Sequence, residues 1–231
     1  MRHSAKTVSA LAAILVTVAP LGALAEVYDL PPAGNDVVGA ITKVSARADD
    51  TLLDIARRHG LGYEDIVRAN PDVDTWLPGE GTEVILPTQY VLPPGPRRGV
   101  VLNLAEYRLY YYPEPAEGEP AVVMTYPISI GRMDWETPLG RTSITQKVRN
   151  PSWYPPESIR AEHAAEGDPL PRIVPPGPDN PLGEYAMRLG IPGYLIHGTN
   201  RPAGVGMRVT HGCIRMFPED IDYLFGRLGV N

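Results

Sequence analysis

The sequence of 231 residues contains a single cysteine, Cys213, so no disulfide can form within the chain. It lacks runs of Lys and Arg, and its formal net charge is -6. Without a basic footprint, nucleic acid is excluded as a partner. The apolar run from residue 8 to 19 is shorter than the roughly 20 residues needed to cross a bilayer, so no stable membrane anchor is expected.

The composition is that of a folded chain rich in turns. Hydrophobic residues make up 43% of the chain, which is enough for a core of ordinary size, and Gly 23 and Pro 26 favour many turns and long loops. We therefore expect strands and loops to dominate, and we exclude an all-helical bundle.

The first 25 residues have the features of a secretory signal peptide. Arg2 and Lys6 precede the apolar run, and Ala23-Leu24-Ala25 resembles a cleavage site. Cleavage near Ala25 would leave a soluble chain with 19 basic and 27 acidic side chains. A free thiol in an exported protein is exposed to oxidation, which suggests a chemical reason for keeping Cys213.

Residues 40–88 show the pattern of a small α+β (βααβ) module. Asp49 or Asp50 is expected to cap the first helix, and Gly60 to end it. The other predicted elements are a strand over 41–47, a helix over 63–69 that stops at Asn70-Pro71, and a strand over 84–86.

This module resembles a LysM domain. The motif residues are Asp50-Thr51-Leu52, Ile55-Ala56, Gly60, Asn70-Pro71, Pro78-Gly79 and Ile85-Leu86-Pro87. The resemblance implies binding to glycan strands that contain N-acetylglucosamine. Residues 44–87 carry 4 basic and 9 acidic side chains, so binding would depend on hydrogen bonds and shape. The alternative is a packing module that has lost its ligand.

A proline-rich linker is predicted over residues 89–97, followed by a mainly β domain over 98–231. Tyr110, Tyr111 and Tyr112 are expected on the sheet surface. Predicted elements are a hairpin of 100–104 with 108–112, strands at 121–130, 142–146, 185–189 and 194–196, and helices near 158–166 and at 220–227. The proline-rich stretch of residues 150–183 is predicted to be a functional loop or lid.

Two histidines precede the single cysteine in sequence. His197-Gly198 ends a predicted strand, and Thr210-His211-Gly212 leads into Cys213. This pattern predicts a thiol nucleophile with an imidazole that either accepts its proton or stabilises the thiolate. No acidic residue lies between His197 and Cys213, so the group that orients the imidazole is a distant side chain or a backbone carbonyl. On spacing alone, either His197 or His211 could be the base.

These residues resemble the L,D-transpeptidase family, also called the YkuD domain, and its periplasmic subgroup. The resemblance covers roughly residues 98–228 and implies a β-sandwich. It implies that Cys213 is the nucleophile, that His197 is the base and that the Gly198 carbonyl orients it. It further implies oxyanion N–H groups from His211, Gly212 and Cys213. Trp153 is expected either to line the donor groove or to pack within its loop, and Arg215 to help place the site or the substrate.

The resemblance implies a peptidoglycan L,D-transpeptidase in the periplasm, with no metal or other cofactor. The thiolate would attack the bond between the diamino acid and the D-Ala of a tetrapeptide stem. The acyl group would pass to an amine of another stem, giving a 3→3 cross-link, or to a lysine of an outer-membrane lipoprotein. The alternatives are an L,D-carboxypeptidase, with water as acceptor, and a non-catalytic peptidoglycan-binding protein.

Overall fold

The computed structural model describes residues 26–230, so the predicted signal peptide lies outside the described residues. The strands are β1 (Glu26–Asp29), β2 (Val37–Ser45), β3 (Glu83–Val91), β4 (Gly99–Asn103), β5 (Arg108–Tyr112), β6 (Val122–Pro127), β7 (Ile130–Gly131), β8 (Ile144–Arg149), β9 (Tyr185–Leu189), β10 (Leu195–His197), β11 (Arg208–Thr210) and β12 (Ile214–Arg215). The α-helices are α1 (Leu52–Arg58), α2 (Tyr63–Ala69), α3 (Glu157–Ala165) and α4 (Pro218–Arg227), and a 3-10 turn covers Pro202–Gly204.

Two four-stranded sheets, ordered β1-β6-β5-β4 and β12-β10-β9-β8, form the larger part of the fold. Their facing side chains share one apolar core with helix α4. The core includes Leu109, Tyr126, Met187, Ile196, Ile214, Ile221 and Leu224, each almost fully buried. Two sheets that bury a common apolar layer form a sandwich, which confirms the predicted mainly β sandwich.

The predicted βααβ elements are present between β1 and β4 in sequence. β2 and β3 form an antiparallel pair from Val37 opposite Val91 to Ser45 opposite Glu83, and α1 and α2 lie between them in sequence. The predicted cap of α1 is wrong by one or two residues. Thr51 is the N-cap, and its side chain and that of Asp54 form a capping box. Asp50 instead bonds both terminal nitrogens of Arg58.

The module lies within the sequence of the larger fold rather than simply preceding it. β1 comes before the module in sequence and pairs antiparallel with β6 at the edge of the first sheet. The predicted linker over 89–97 is also wrong in its first part. β3 continues to Val91, and Tyr90 and Leu92 are buried against Tyr110, Tyr112 and Val123 of the first sheet.

This contact explains why the prediction for the three consecutive tyrosines is wrong. Tyr111 faces the core between the sheets, while Tyr110 and Tyr112 face the side chains contributed by the module. All three are therefore buried. Because alternate residues of a strand face opposite sides, a strand covered on both sides has no exposed face.

A buried arginine joins the module to the sandwich. Arg108, on β5, is 1% exposed and donates to Asp65 of α2 at 2.8 Å. Its guanidinium also donates to the Gly60 carbonyl and the Thr125 hydroxyl, and it lies 4.2 Å from the centre of the Tyr90 ring. A second, bidentate pair links Arg57 of α1 to Glu219 of α4.

The remaining predicted elements are present with shifted ends. The hairpin of β4 and β5 and strand β9 have the predicted bounds to within one residue, whereas β8 begins later than predicted. Helix α3 lies inside the proline-rich stretch, as predicted. Between residues 26 and 230, no helix is long and apolar enough to cross a membrane.

Candidate active site

The strand pair at one edge of the second sheet, β12 and its neighbour β10, places the catalytic candidates. β10 and β12 run parallel, with Ile196 opposite Ile214. Both isoleucines belong to the core between the sheets. Because side chains alternate along a strand, His197 and the opposing Arg215 face the other side of the sheet. Cys213 immediately precedes Ile214, so the predicted nucleophile and base share one face of the sheet.

His197 is buried and its tautomer is determined by its neighbour. The side chain is 4% exposed, and its Nδ1 lies 2.7 Å from the Gly198 carbonyl oxygen. A carbonyl oxygen only accepts hydrogen bonds, so Nδ1 carries the hydrogen and Nε2 keeps its lone pair. Burial, with a contribution from the Arg215 charge, lowers the pKa of His197 to about 3. The imidazole is therefore neutral at physiological pH and able to accept a proton.

Gly183 allows a close backbone contact immediately after His197. The end of the proline-rich stretch packs on the chain just after His197. A Cβ built on Gly183, whose φ is +67°, would lie 2.7 Å from the Thr199 nitrogen. A glycine is therefore required for this close approach.

Cys213 is a half-buried thiol that is neutral at rest. Burial raises its pKa above the ordinary value, although the Leu195 backbone and the Arg215 charge oppose the effect. The sulfur lies 3.7 Å from the Gly193 carbonyl oxygen, to which the S–H donates. Of the two activation modes that the sequence left open, the lowered pKa of His197 and the raised pKa of Cys213 favour proton removal by a neutral imidazole over a preformed thiolate–imidazolium pair.

The turn before Cys213 is fixed by side-chain hydrogen bonds. Gly212 has a φ of +100°, and a Cβ there would lie 2.7 Å from the Tyr194 ring. The Thr210 hydroxyl donates to the Cys213 carbonyl at 2.6 Å and accepts from the Gly212 N–H at 3.2 Å. The Thr137 hydroxyl donates to the Gly212 carbonyl at 2.7 Å. The turn thus has a single well-defined conformation.

These bonds correct two predictions. The Gly212 N–H is already engaged by Thr210, so it is not a free oxyanion donor, and the N–H groups of His211 and Cys213 remain the candidates. The second concerns His211 as the alternative base: the positive φ of Gly212 breaks the extended chain that would place the His211 side chain on the same side as Cys213.

His211 is held by the proline-rich stretch. Its Nε2 lies 3.1 Å from a carboxylate oxygen of Glu162 on helix α3, and its ring packs edge-on to Trp135 with centroids 5.2 Å apart. Glu162 also pairs with Arg132, and this bond is the main reason that the pKa of its carboxyl is lowered. The helix is thereby tied to the loop that carries the nucleophile.

Trp153 lies elsewhere in the same stretch. Its backbone forms a two-way bridge with Val174, and its side chain is half-buried. Asn180 is fully buried beside this bridge, and its amide donates to the carbonyls of Pro151, Val174 and Pro175. The contacts of Trp153 are those of loop packing, so its place in a donor groove stays a prediction.

Several residues that shape the site come from distant parts of the sequence. Glu162 is 49 positions from His211, and Thr137 is 75 positions from Gly212. Thr137 belongs to a Thr-Pro-Leu-Gly motif, which was its only signal, and Asn180 sits in a Pro-Asp-Asn-Pro turn. Across the part of the chain that the structure describes, no three His, Cys, Asp or Glu side chains are grouped to hold a metal ion.

Comparison with known proteins places this site in a family. The family model described as the YkuD L,D-transpeptidase catalytic domain matches residues 97–231. The chain belongs to this family. The match includes every residue assigned above to the nucleophile loop and to the strand that carries His197.

Relatives of the chain include two enterobacterial family members. It is 43% identical over 213 residues to the Escherichia coli protein named "Probable L,D-transpeptidase YcfS", covering 90% of this chain and 65% of the relative. It is 43% identical over 210 residues to "Probable L,D-transpeptidase ErfK/SrfK" of Salmonella typhimurium, covering 90% and 66%. The chain thus spans slightly less than two thirds of each relative.

The family also has solved structures. L,D-transpeptidase 3 from Mycobacterium tuberculosis is 19% identical, with 64% of each chain covered and a TM-score of 0.40. Family membership rests on the family model and on the sequence relatives.

Proposed function

We propose that this protein is an exported, cysteine-dependent peptidoglycan L,D-transpeptidase. The observation that carries the proposal is the placement of a neutral, buried His197 at the end of β10 and of a neutral Cys213 thiol immediately before the adjacent parallel strand β12. Family membership and two relatives named as L,D-transpeptidases support it. The substrate class, the bond between the diamino acid and the D-Ala of a tetrapeptide stem, comes from the family.

The reaction begins with proton transfer. Nε2 of His197 takes the thiol proton while the Gly198 carbonyl holds Nδ1–H, and the sulfur attacks the stem carbonyl. The N–H groups of His211 and Cys213 are placed to stabilise the resulting oxyanion, and loss of one such donor costs about 3 kcal/mol in comparable sites. The imidazolium then gives its proton to the departing D-Ala amine, leaving a thioester on Cys213.

The second half of the reaction transfers the acyl group. An amine attacks the thioester, His197 accepts its proton, and the thiolate is released and reprotonated. The amine comes from another stem, giving a 3→3 cross-link, or from a lysine of an outer-membrane lipoprotein. If water takes this place, the protein is an L,D-carboxypeptidase, which product analysis with and without an acceptor amine distinguishes.

The βααβ module is proposed to bind the glycan strands, as its LysM motif implies. Its fixed attachment through Arg108 and Arg57 would then hold the catalytic face at a set distance from a bound glycan. The exposed Trp76 and Leu77 lie on the loop between α2 and β3 of this module. The signal-like residues 1–25 support export to the periplasm, where peptidoglycan is accessible.

Intact-protein mass spectrometry with a synthetic tetrapeptide stem tests the proposal. The wild-type protein should gain the mass of the stem minus D-Ala, and Cys213→Ala should show no adduct while it still binds purified sacculi. If the wild type forms no adduct but binds sacculi, the protein is a non-catalytic peptidoglycan-binding protein. If neither adduct nor sacculus binding is seen, both the catalytic and the LysM proposals fail.

A further inference from the structure

Arg215 presents a cation to the active-site face, and no acidic side chain among residues 26–230 pairs with it. Its Nε is buried and has no hydrogen-bond partner among residues 26–230. Its guanidinium lies against the 3-10 turn, since a Cβ built on Gly204 would be 3.6 Å from its Nη1. The backbone of Arg215 is fixed by two hydrogen bonds with Ser129, so the side chain starts from a rigid strand.

Most buried or half-buried arginines among residues 26–230 have a carboxylate partner, and Arg215 and Arg160 are the ones that do not. Arg57, Arg97 and Arg108 each form an ion pair with an acidic side chain. For Arg215 no acidic side chain lies within ion-pairing distance in the described part of the chain. Removing a guanidinium from water without a counter-charge costs free energy, and burial accordingly lowers the pKa of Arg215.

A second cation stands next to it. Arg201 caps the same 3-10 turn that Arg215 touches, and its charge is the second cause of the lowered pKa of Arg215. Arg201 is exposed, and it too has no ion pair within residues 26–230. Two neighbouring guanidinium groups that have no carboxylate partner in the described residues can together bind an anion.

The position of this site relative to the nucleophile defines what it would bind. Arg215 is two residues from Cys213 and directly opposite His197 in the strand pairing. Residues two apart on a strand, such as Cys213 and Arg215, are about 6.6–6.8 Å apart. An anion bound by Arg215 would therefore lie about one substrate residue away from the carbonyl that the sulfur attacks. A planar guanidinium is well matched to a carboxylate.

We propose that Arg215, assisted by Arg201, binds a carboxylate of the acyl donor next to the scissile bond. This inference rests on the proposed function and adds to it the recognition of donor charge. Two carboxylates of the stem have the required chemistry: the terminal carboxylate of the leaving D-Ala, and the side-chain carboxylate of the diamino acid at the third position. Donors that lack one or the other carboxylate show which of the two Arg215 binds.

Four donors test the proposal: stems with meso-diaminopimelate or lysine at position three, each with a free or an amidated C-terminus. The kcat/KM of acylation is measured for wild type, Arg215→Met, Arg201→Met and Arg188→Met. Arg188 is an exposed arginine on β9 of the same sheet and serves as the matched control. For the donor carrying the recognised carboxylate, Arg215→Met should lower kcat/KM by about 10- to 100-fold, the range for a hydrogen bond to a charged group.

Arg201→Met should cause a smaller loss of the same kind, and Arg188→Met should cause none. The losses should disappear with the donor that lacks the recognised carboxylate. Loss only between free and amidated termini identifies the D-Ala carboxylate, and loss only between diaminopimelate and lysine identifies the side-chain carboxylate. If Arg215→Met lowers kcat/KM equally for all four donors, or leaves it unchanged, the carboxylate site is wrong.

Failure of the proposed function gives a different result. In that case wild type forms no acyl-enzyme with any of the four donors, whereas failure of the carboxylate site leaves wild-type acylation intact. Arg215→Lys keeps the charge but not the fork of donors. Partial recovery of the donor preference in this variant is expected, because a point charge still attracts a carboxylate.

Discussion

Arg108 and Arg215 are both withdrawn from solvent, but they differ in the number of partners that the protein provides. Arg108 has a carboxylate, a carbonyl, a hydroxyl and an aromatic ring as partners, all from the protein. Arg215 has a buried Nε with no partner among residues 26–230. A fully satisfied cation holds two parts of a fold together, whereas an unsatisfied one facing a nucleophile is available to a ligand.

The comparison extends to the surroundings of each residue. Arg108 sits at the contact between the βααβ module and the first sheet, where the close approach of Gly62 and Gly206 leaves no room for a Cβ. The face that holds Arg215 contains a neutral thiol and a neutral imidazole instead. The module contact is rigid and its polar groups are paired, whereas the catalytic face has polar groups without partners among residues 26–230. The following substitutions test each of these two features in turn.

Replacing the two arginines by methionine should have opposite effects. Arg108→Met leaves Asp65 without its partner in a buried contact and should lower the free energy of unfolding by about 3 kcal/mol. Arg215→Met breaks no ion pair within residues 26–230 and should leave stability unchanged or raise it. Urea unfolding measures both. Arg68→Met, which removes an exposed pair with Glu64 in the same module, is the control and should cost less than about 0.5 kcal/mol.

Asp220, in the first turn of α4, tests the cost of a buried charge near the module contact. Burial raises the pKa of its carboxyl well above the ordinary value. An ionised Asp220 is therefore less favourable in the folded than in the unfolded protein, and this penalty grows as pH rises above about 4. Asp220→Asn should raise the free energy of unfolding at pH 7, because the amide has no charge to bury. The difference should vanish below pH 4, and a stabilisation that persists there would contradict the assignment.

Glu162 tests whether helix α3 stabilises the nucleophile loop. Glu162→Gln removes the carboxylate shared by Arg132 and His211 and should lower the acylation rate by about two- to fivefold, as expected for a solvent-exposed ion pair. The lowered pKa of Glu162 means that its contribution is present above its unfolded pKa and is lost as pH falls through the folded value. Glu166→Gln, at the end of the same helix, should change nothing. Equal rates for the two variants would show that the contact does not reach the active site.

Thr51 gives the smallest expected effect. Thr51→Ala removes the N-cap of α1 and should cost about 1 kcal/mol in the free energy of unfolding. Asp49→Ala, two positions earlier, should have no measurable effect, because Asp49 is not the cap. A loss of stability in Asp49→Ala and none in Thr51→Ala would show that Asp49 is the cap, as one of the two predicted candidates.

The sequence predicts those features that depend on neighbouring residues. The β4–β5 hairpin, the two short helices of the module and the pattern of glycine and histidine before Cys213 are all local. The cap of α1 was ambiguous because Asp49, Asp50 and Thr51 are all good capping residues, and only the structure shows that Asp50 is used by Arg58.

Features that depend on distant residues were not predictable. The pairing of β1 with β6 and the bond between Arg108 and Asp65 bring together segments with no shared periodicity. The burial of Tyr110 and Tyr112 follows from the module covering a second face of the sheet. For the site, spacing alone did not choose between the two histidines. The family resemblance assigned the role of base to His197. The structure adds the Gly198 carbonyl at Nδ1 of His197 and the Glu162 carboxylate at Nε2 of His211, which no local pattern indicates.

The pH dependence of acylation tests the central claim that a neutral His197 activates a neutral Cys213. With the pKa of His197 lowered to about 3, kcat/KM for wild-type acylation should stay constant from pH 7 down to about 5. His197→Gln should lower it by about 10²- to 10⁴-fold, the usual contribution of a general base. A wild-type rate that falls tenfold per pH unit below about 6.5, the ordinary pKa of histidine, would contradict this account. So would a His197→Gln variant that is as fast as wild type.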